Sequence, residues 1–253
     1  MSGYSKWTQI PRSKSIPTRQ EQLFTRLARE LVVAVRDGKN GDQNANFRLR
    51  MAIQRARDAN MPMDDIEQTI KHAIDGSEGS ALEEIIYEGY GPTGTAILVR
   101  TLTKNRNRTV AEVRNAFNRL GGSMGEKGCI DGLFESKGVI EVDLADYDPD
   151  ELLQETLSMG TNEVKPVGAG DQTITMYTDP AKMETVCKVL EEKKYTVVKA
   201  EVTMVPKTRI PLSDEKAAHQ TTRLIERLED LDDVQNVYTN ADFPEDFAPS
   251  YQE

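Results

Sequence analysis

Apolar residues recur every three or four positions through the first third of the chain, a spacing that predicts amphipathic helices. One helix is expected at 18–37, with Thr18 placed to cap it, and a second at 45–60. A third helix is expected to begin at Pro62, since proline suits the first helical position. The inward positions are Leu23, Leu27, Leu31 and Val35, then Leu49, Ala52, Ile53 and Ala56, then Ile66, Ile70 and Ile74. The pattern therefore predicts a three-helix domain at 18–76.

Beyond a linker containing Ser and Gly, the pattern changes to short β-branched runs, which are typical of strands. The expected elements are strands at 83–88, 95–102 and 130–135, a helix at 110–120, and later a helix at 212–231 and a strand at 234–238. Thr109 and Glu112 have the spacing of a capping box for the first of these helices, and Ser213 is placed to cap the second. Together they predict an antiparallel α/β middle domain that covers 82–137 plus 209–240.

A second α/β unit interrupts this layer at Gly138. Its expected elements are strands at 139–142, 163–167, 172–177 and 196–204, with helices at 149–159 and 180–193. The order β-α-β-β-α-β is that of a ferredoxin-like module, so 138–208 is interpreted as an inserted domain. The ends are interpreted as a basic arm at 1–17 and an acidic tail at 241–253. The predicted fold class is therefore α+β, with an N-terminal three-helix domain, a middle α/β domain and an inserted ferredoxin-like α/β domain.

Gly89, Gly91 and Gly94 match the spacing of a dinucleotide-binding fingerprint. That fingerprint has to open a helix, whereas the residues that follow Gly94 continue as an apolar strand. The glycines, with Pro92 among them, are therefore interpreted as the turn of a β-hairpin.

The polar turn at 103–108 lies between a buried strand and a helix, and it carries Lys104, Arg106 and Arg108. A helix N-terminus presents free N–H groups and the positive end of the helix dipole, and arginine suits phosphate oxygens. The turn therefore predicts a phosphate-binding site at Arg106 and Arg108.

Charge is distributed unevenly along the 253 residues. The net charge is −10, yet residues 1–57 have a balance of +8 and the rest a balance of −18. This asymmetry indicates an end that faces nucleic acid. The candidate nucleic-acid-binding residues are Lys6, Trp7, Arg12 and Lys14 in the arm, Arg48, Arg50, Arg55 and Arg57 on the second helix, and Arg106 and Arg108 in the turn. A solvated helix edged by long arginine side chains is the alternative interpretation of the second helix.

The sequence carries no recognisable catalytic or metal-binding pattern. Cys129 and Cys187 have no partner motif, and the two histidines have no second ligand at metal spacing. There is no nucleophile elbow or Walker loop, and adjacent acids such as Asp232 and Asp233 are expected to be solvated. We therefore expect no enzymatic activity, no cofactor and no metal. No signal peptide or membrane-length apolar run occurs, so a cytoplasmic protein without membrane contacts is expected.

Several separated motifs resemble the YebC family, which includes the mitochondrial translational activators of cytochrome c oxidase. They are YEGYGPTGTA from Tyr87, LTKNRNRTVAEVRNAF from Leu102, LGGSMGEKG from Leu120, SKW at 5–7 and ANMP at 59–62. The resemblance extends from about Ser2 to about Tyr238, and it implies a helical first domain, a middle domain and an inserted third. It also implies a role in relieving ribosome stalling at proline-rich stretches, with Lys6, Trp7 and the arm near RNA.

The arm departs from the family pattern. Tyr4 stands where a histidine is common, and Pro11, Ser13 and Ile16 occur in a stretch that is usually denser in lysine and arginine. This departure shifts the expected nucleic-acid contacts from the arm toward the second helix and the turn at 105–108.

Three functions are compatible with these features. We expect a ribosome- or RNA-associated translation factor, with ribosomal RNA preferred to promoter DNA as its partner and ribosomal proteins as further contacts. The alternative is a DNA-binding transcriptional regulator, although no recognition helix in a helix-turn-helix frame is evident. The third is a protein-interaction module whose basic arm binds an acidic partner.

Overall fold

The structure is a computed structural model, and it describes residues 16–39, 41–76, 82–144, 161, 163–164, 173–212, 214–244 and 247. The described residues of 135–205 form one compact unit, and the described residues on either side of that stretch form another. The helices of the described chain are α1 (Ile16–Gly38), α2 (Phe47–Asp58), α3 (Met63–Ile74), α4 (Arg106–Arg119), α5 (Met183–Glu192) and α6 (Glu215–Glu229). Its strands are β1 (Glu83–Tyr90), β2 (Ala96–Thr103), β3 (Ser123–Met124), β4 (Phe134–Asp143), β5 (Glu163–Val164), β6 (Thr173–Thr178), β7 (Val197–Pro206), β8 (Ile210–Pro211), β9 (Val234–Thr239) and β10 (Ala241–Asp242).

The first three helices pack through most of the apolar positions that the sequence predicts. The predictions for Leu23 and Ile74 are wrong, because these side chains are 42% and 58% exposed. Leu31, Leu49 and Ile66, one from each helix, are buried in the same cluster. Asn46 caps α2, because its side chain accepts a hydrogen bond from the N–H of Leu49 at 3.0 Å. The same side chain donates to the carbonyl oxygen of Ala34 at 2.8 Å, which ties the start of α2 to α1.

Several helices begin at residues other than those that the sequence predicts. Pro62 is the N-cap of α3, which begins at Met63. Helix α1 starts two residues before Thr18, with Pro17 in its first turn, where a missing N–H is tolerated. Thr18 therefore does not cap it. Helix α6 is capped by Asp214, whose side chain accepts a hydrogen bond from the N–H of Ala217 at 2.6 Å. Ser213, the predicted cap, lies outside the described residues.

Four strands of the larger unit form an antiparallel sheet in the order β3-β1-β2-β9. The turn between β1 and β2 is tight, since the N–H of Gly91 donates to the oxygen of Thr95 at 2.7 Å and Gly94 adopts a φ of +77°. The hairpin interpretation of these glycines is confirmed. Strand β9 follows the 135–205 unit in sequence but pairs with β2, placing Val237 opposite Val99.

Helices α4 and α6 cover one face of this sheet. Val113 and Phe117 of α4, Leu224 and Ile225 of α6, and Val99 of β2 are buried in one cluster. Because both helices pack on the same apolar face, they form a single layer, and their opposite sides are directed away from the sheet.

The 135–205 unit contains a second sheet, in the order β5-β6-β4-β7, and helix α5. The strand predicted at 139–142 is present, but it is part of one longer strand, β4 (Phe134–Asp143). A separate strand at 130–135 is wrong, because only its last two residues belong to β4. Gly138 is the first residue of the ladder between β4 and β6, where it pairs with Thr178. The helix expected at 149–159 lies outside the described residues. The α+β fold class is confirmed, while the limits of the individual domains stay a proposal.

Candidate nucleic-acid interface

Helix α4 begins where a polar turn leaves β2. Asn105 caps the helix, since its side-chain oxygen accepts a hydrogen bond from the N–H of Arg108 at 3.1 Å. The capping box predicted for Thr109 and Glu112 is therefore wrong by one helical turn. Thr109 is fully buried inside the helix, and its hydroxyl takes part in a different network.

That network centres on Asp233, which is only 1% exposed and immediately precedes β9. Its Oδ2 accepts hydrogen bonds from the hydroxyls of Thr103 at 3.0 Å and Thr109 at 2.7 Å, and from Arg108 Nη2 at 2.7 Å. Arg29 Nη2 of α1 lies 3.2 Å from Oδ1. The expectation that the acid pair at 232–233 is solvated is wrong for Asp233, because this carboxylate links three elements.

The surroundings of Asp233 favour its charged form. Burial by itself raises the pKa of the carboxyl, but hydrogen bonds from Arg108, Thr109 and Thr103 outweigh it, and the net pKa lies below the ordinary value. The same hydrogen bond raises the pKa of Arg108. Arg108 is half-exposed, so one part of its guanidinium is bound internally while the rest faces solvent.

Arginines of α1 also hold backbone carbonyls near this network. Arg26 donates to the oxygen of Glu229, and Arg29 donates to the oxygen of Asp232. Further along α1, Arg36 donates to the oxygen of Leu82 at 2.5 Å. These contacts fix α1 beside the end of α6 and the start of β1.

A cleft of about 410 Å³ opens between α1 and the start of α4. It is lined by Thr25, Ala28, Arg29, Val32, Leu82, Lys104, Asn105, Arg108 and Asp233. Three of these side chains are cationic and one is a carboxylate, so the lining has a net positive charge. An anionic group, such as a phosphate, carries the charge that complements this lining.

Lys104 and Arg106 are the exposed cations of the turn. Within the described part of the chain, neither side chain forms an ion pair or a hydrogen bond. Arg106 and Arg108, the two residues that the sequence predicts to bind phosphate, therefore have different environments. Arg106 is open to solvent, whereas Arg108 also holds the start of the helix to Asp233.

The four arginines of α2 are largely engaged within the protein. Arg48 pairs with Asp37 of α1 at 2.5 Å, and Arg55 pairs with Glu30 of α1. The Arg50 guanidinium lies 5.3 Å from the ring centroid of Phe47.

Arg57, the fourth of these arginines, is exposed, and its Nε contacts Met63 Sδ at 3.3 Å. A nucleic-acid role for the four α2 arginines stays a prediction, with competition from the acids of α1. Lys6, Trp7, Arg12 and Lys14 lie outside the described residues.

Sequence reasoning did not nominate Arg29 or Asp233, two of the charged residues that line the cleft. No local signal marks them: Arg29 is one of several cations on an amphipathic helix, and Asp233 belongs to a common acid pair. A partial signal for Asp233 was its position directly before a β-branched strand, where a side chain can be buried with the strand.

The described residues contain no cluster of three or more His, Cys, Asp or Glu side chains arranged to hold a metal ion. None of the described helices is both long enough and apolar enough to cross a membrane.

The fold defines a class of α+β proteins with an N-terminal helical domain. Residues 5–76 match the family described as "TACO1/YebC protein N-terminal domain", and residues 82–241 match "TACO1/YebC second and third domain". The chain belongs to the TACO1/YebC family.

Similar proteins span the whole chain. A probable transcriptional regulatory protein of Chloroflexus aurantiacus is 46% identical over 245 residues, which cover 96% of each chain. A protein with the same description from Halothermothrix orenii is 41% identical over the full length of both chains. The crystal structure of a conserved hypothetical protein from Aquifex aeolicus aligns with a TM-score of 0.83 at 39% identity, covering 97% of this chain and 100% of that one.

Proposed function

We propose that the protein is a non-enzymatic regulator of gene expression that works by associating with nucleic acid. The observation that carries this proposal is the turn before α4, where Lys104 and Arg106 are exposed beside a cleft with a net positive charge. In a chain with a net charge of −10, such an open cationic site is suited to a phosphate backbone. The naming of its relatives as probable transcriptional regulatory proteins supports the regulatory role in general terms.

Within that role we favour association with ribosomal RNA in the cytoplasm, and with ribosomal proteins as secondary contacts. The resemblance to the YebC family extends the proposal to translation elongation at proline-rich stretches. The acidic remainder of the molecule supports a partner that combines RNA with basic proteins, because a protein that coats DNA is usually basic overall.

The second candidate is a DNA-binding transcriptional regulator, and the names of the relatives favour it. Base readout in the major groove needs a helix that can enter the groove. Helix α4 lies in a layer beside α6, which does not favour that docking geometry. We therefore expect binding to duplex DNA to be weak and independent of sequence. The third candidate, a pure protein-interaction module, needs no nucleic acid.

A charge-reversal variant tests the proposal. Lys104→Glu combined with Arg106→Glu should abolish co-sedimentation with ribosomes in a sucrose gradient without loss of fold, because both side chains are exposed. Arg108 is left intact, since its reversal would place a second carboxylate against Asp233. The matched control is Lys71→Glu with Lys182→Glu, two exposed lysines elsewhere. Unchanged co-sedimentation of the first variant would exclude the turn as the site.

Crosslinking in cells followed by sequencing of the bound nucleic acid separates the three candidates. Recovery of ribosomal RNA supports the proposal, and enrichment of promoter DNA favours the second candidate. Recovery of no nucleic acid above background favours the third.

A further inference from the structure

The outward faces of α4 and α6 are cationic, although the chain as a whole is acidic. Among the exposed residues of these two helices there is one acid, Glu215. The exposed cations are Arg106, Arg108, Arg114, Arg119, Lys216, Arg223 and Arg227. Five of them, those from Arg114 onward, lie away from the cleft and were not nominated from the sequence.

Four of the exposed residues on each helix form a row along one face. On α6 the row is Lys216, Gln220, Arg223 and Arg227, at the i, i+4, i+7, i+11 spacing of a single helix face. On α4 the row is Asn107, Ala111, Arg114 and Asn118, at the same spacing. Each row covers eleven helical rises, or about 17 Å at 1.5 Å per residue. The buried residues of each helix lie on the opposite side, in the shared core.

Acidic side chains of the described residues do not neutralise these cations. Over the described residues, Arg114, Arg119, Lys216, Arg223 and Arg227 form no ion pair and no side-chain hydrogen bond. This distinguishes them from the arginines of α2, two of which pair with carboxylates of α1.

Two half-buried acids border the rows. Glu112 lies 4.0 Å from Arg108, and Glu226 also interacts with another residue of the protein. The remaining exposed acid, Glu215, pairs with His219 at 3.5 Å. The exposed face is therefore left with positive charge and with neutral amides.

The shape of this face follows from the packing of α4 and α6. Both helices rest on the same side of the sheet, and the Thr93 hydroxyl before β2 lies 3.4 Å from that of Thr221 in α6. The two helices also contact each other, and packed helices have axes about 8–10 Å apart, so together they form a face wider than a single helix.

We propose that this α4–α6 face, defined by Asn107, Arg114, Asn118, Lys216, Arg223 and Arg227, binds double-stranded RNA across its minor groove. A face made of two adjacent helices is too wide for the major groove of B-DNA, which admits one helix, whereas the minor groove of A-form RNA is wide and shallow. The cations face phosphates on the two strands, and the Asn amides, which both donate and accept, suit the 2′-hydroxyls between them. This inference rests on the proposed function, and it adds the class of RNA and the residues that contact it.

The test compares RNA and DNA duplexes of the same sequence, each about 16 base pairs long, the span of a double-stranded-RNA-binding domain. Fluorescence anisotropy measures binding of the full chain between about 50 and 200 mM salt. The variant Arg114→Gln with Arg223→Gln and Arg227→Gln should bind the RNA duplex at least about tenfold more weakly at the lower salt. Its log–log salt slope should be shallower by about 2 to 3, because each phosphate that a cation neutralises adds about 0.7 to 0.9 to the slope.

Two further variants serve as controls. Lys71→Gln with Lys182→Gln and Lys207→Gln makes the same charge change at exposed positions elsewhere and should leave RNA binding unchanged. Replacing the same three arginines of the face by lysine should retain the salt slope, because each charge is kept. Circular dichroism should show the wild-type spectrum for all three variants.

The outcomes separate this inference from the proposed function. If the wild-type chain binds the RNA duplex and the glutamine variant binds it equally well, the face is wrong and the proposed function stands. Equal affinity for RNA and DNA, with both weakened alike in the variant, overturns the assignment to RNA. Co-sedimentation with ribosomes without any duplex binding overturns this inference alone, and the absence of both overturns the proposed function as well.

Discussion

Arg108 Nη2 donates a hydrogen bond of 2.7 Å to Asp233 Oδ2, joining residues that are 125 positions apart in the sequence. Arg108 is in the first turn of α4, and Asp233 is the residue before β9. The hydroxyls of Thr103 and Thr109 bind the same oxygen. The start of α4, which carries the candidate site, is therefore positioned by a single buried carboxylate.

Asp233→Asn should lower the free energy of unfolding by about 2–3 kcal/mol, because it removes the charge of a buried acceptor that binds the half-exposed Arg108 and lies against Arg29. Urea denaturation at neutral pH measures this. The neighbouring Asp232→Asn is the matched control: its side chain is exposed, so the change should be within about 0.5 kcal/mol. Equal effects of the two substitutions would contradict the central role of Asp233.

The contribution of Asp233 to stability should depend on pH with a defined sign. Its pKa in the folded protein is below the ordinary value of 3.8, so its stabilisation is fully present above that value. As the pH falls below about 4, the Asp233 carboxyl becomes protonated in the unfolded chain before it does so in the folded protein. Its contribution to stability therefore decreases as the pH falls toward the pKa of the folded state. The free energy of unfolding of wild type and of Asp233→Asn should be measured in urea at pH 7, 5 and about 3. The difference between them should be the same at pH 7 and 5, and smaller at about pH 3. If this difference in the free energy of unfolding increased on acidification, the pKa of Asp233 would be raised in the folded protein, not lowered.

The local sequence pattern predicted the elements of the fold better than the site. Helical spacing of Leu27, Leu31 and Val35 and the β-branched run of β2 report on burial directly, because a helix or strand face has a fixed period. Capping was predicted less well, since Asn105 and Thr109 are both good caps and only tertiary contacts decide between them. Thr109 is buried because Asp233 accepts its hydroxyl, and no local pattern could pair residues so distant in sequence.

The same limit applies to the cations. The sequence shows that α2 is rich in arginine, but it does not show that Asp37 and Glu30 of α1 lie against Arg48 and Arg55. Conversely, the exposed row on α6 was overlooked because its cations are spread over twelve residues among acids that are half-buried or at the helix end. The sequence gives the positions of the cations, but only the packing of the helices shows which of them are exposed and unpaired.

Glu88→Gln should loosen the loop that follows β3. Glu88 is buried, and its two carboxylate oxygens accept from the N–H of Gly128 at 2.8 Å and of Ile130 at 3.0 Å. An amide leaves one of these N–H groups facing another donor, at a cost of about 1–3 kcal/mol. Hydrogen exchange should become faster at residues 125–133.

Glu84→Gln provides the control for this loop, because Glu84 is on the same strand but exposed and pairs with Arg100 at 2.5 Å. A surface pair contributes about 0–1 kcal/mol, so exchange in the loop should not change. Equal protection of the loop in both variants would mean that Glu88 does not hold it.

Gly89→Ala should destabilise the sheet, for a reason unrelated to the nucleotide fingerprint that this glycine imitates. A Cβ at Gly89 would lie 2.6 Å from the carbonyl oxygen of Ser123 and 2.8 Å from the Phe117 ring. Because β3 is hydrogen-bonded to β1 at this position, the backbone oxygen cannot move aside. We expect a loss of about 1–3 kcal/mol, measured as a lower midpoint of urea unfolding. Gly132→Ala, whose Cβ would meet nothing within 4 Å, should be neutral, and a neutral Gly89→Ala would show that β3 can shift away from β1.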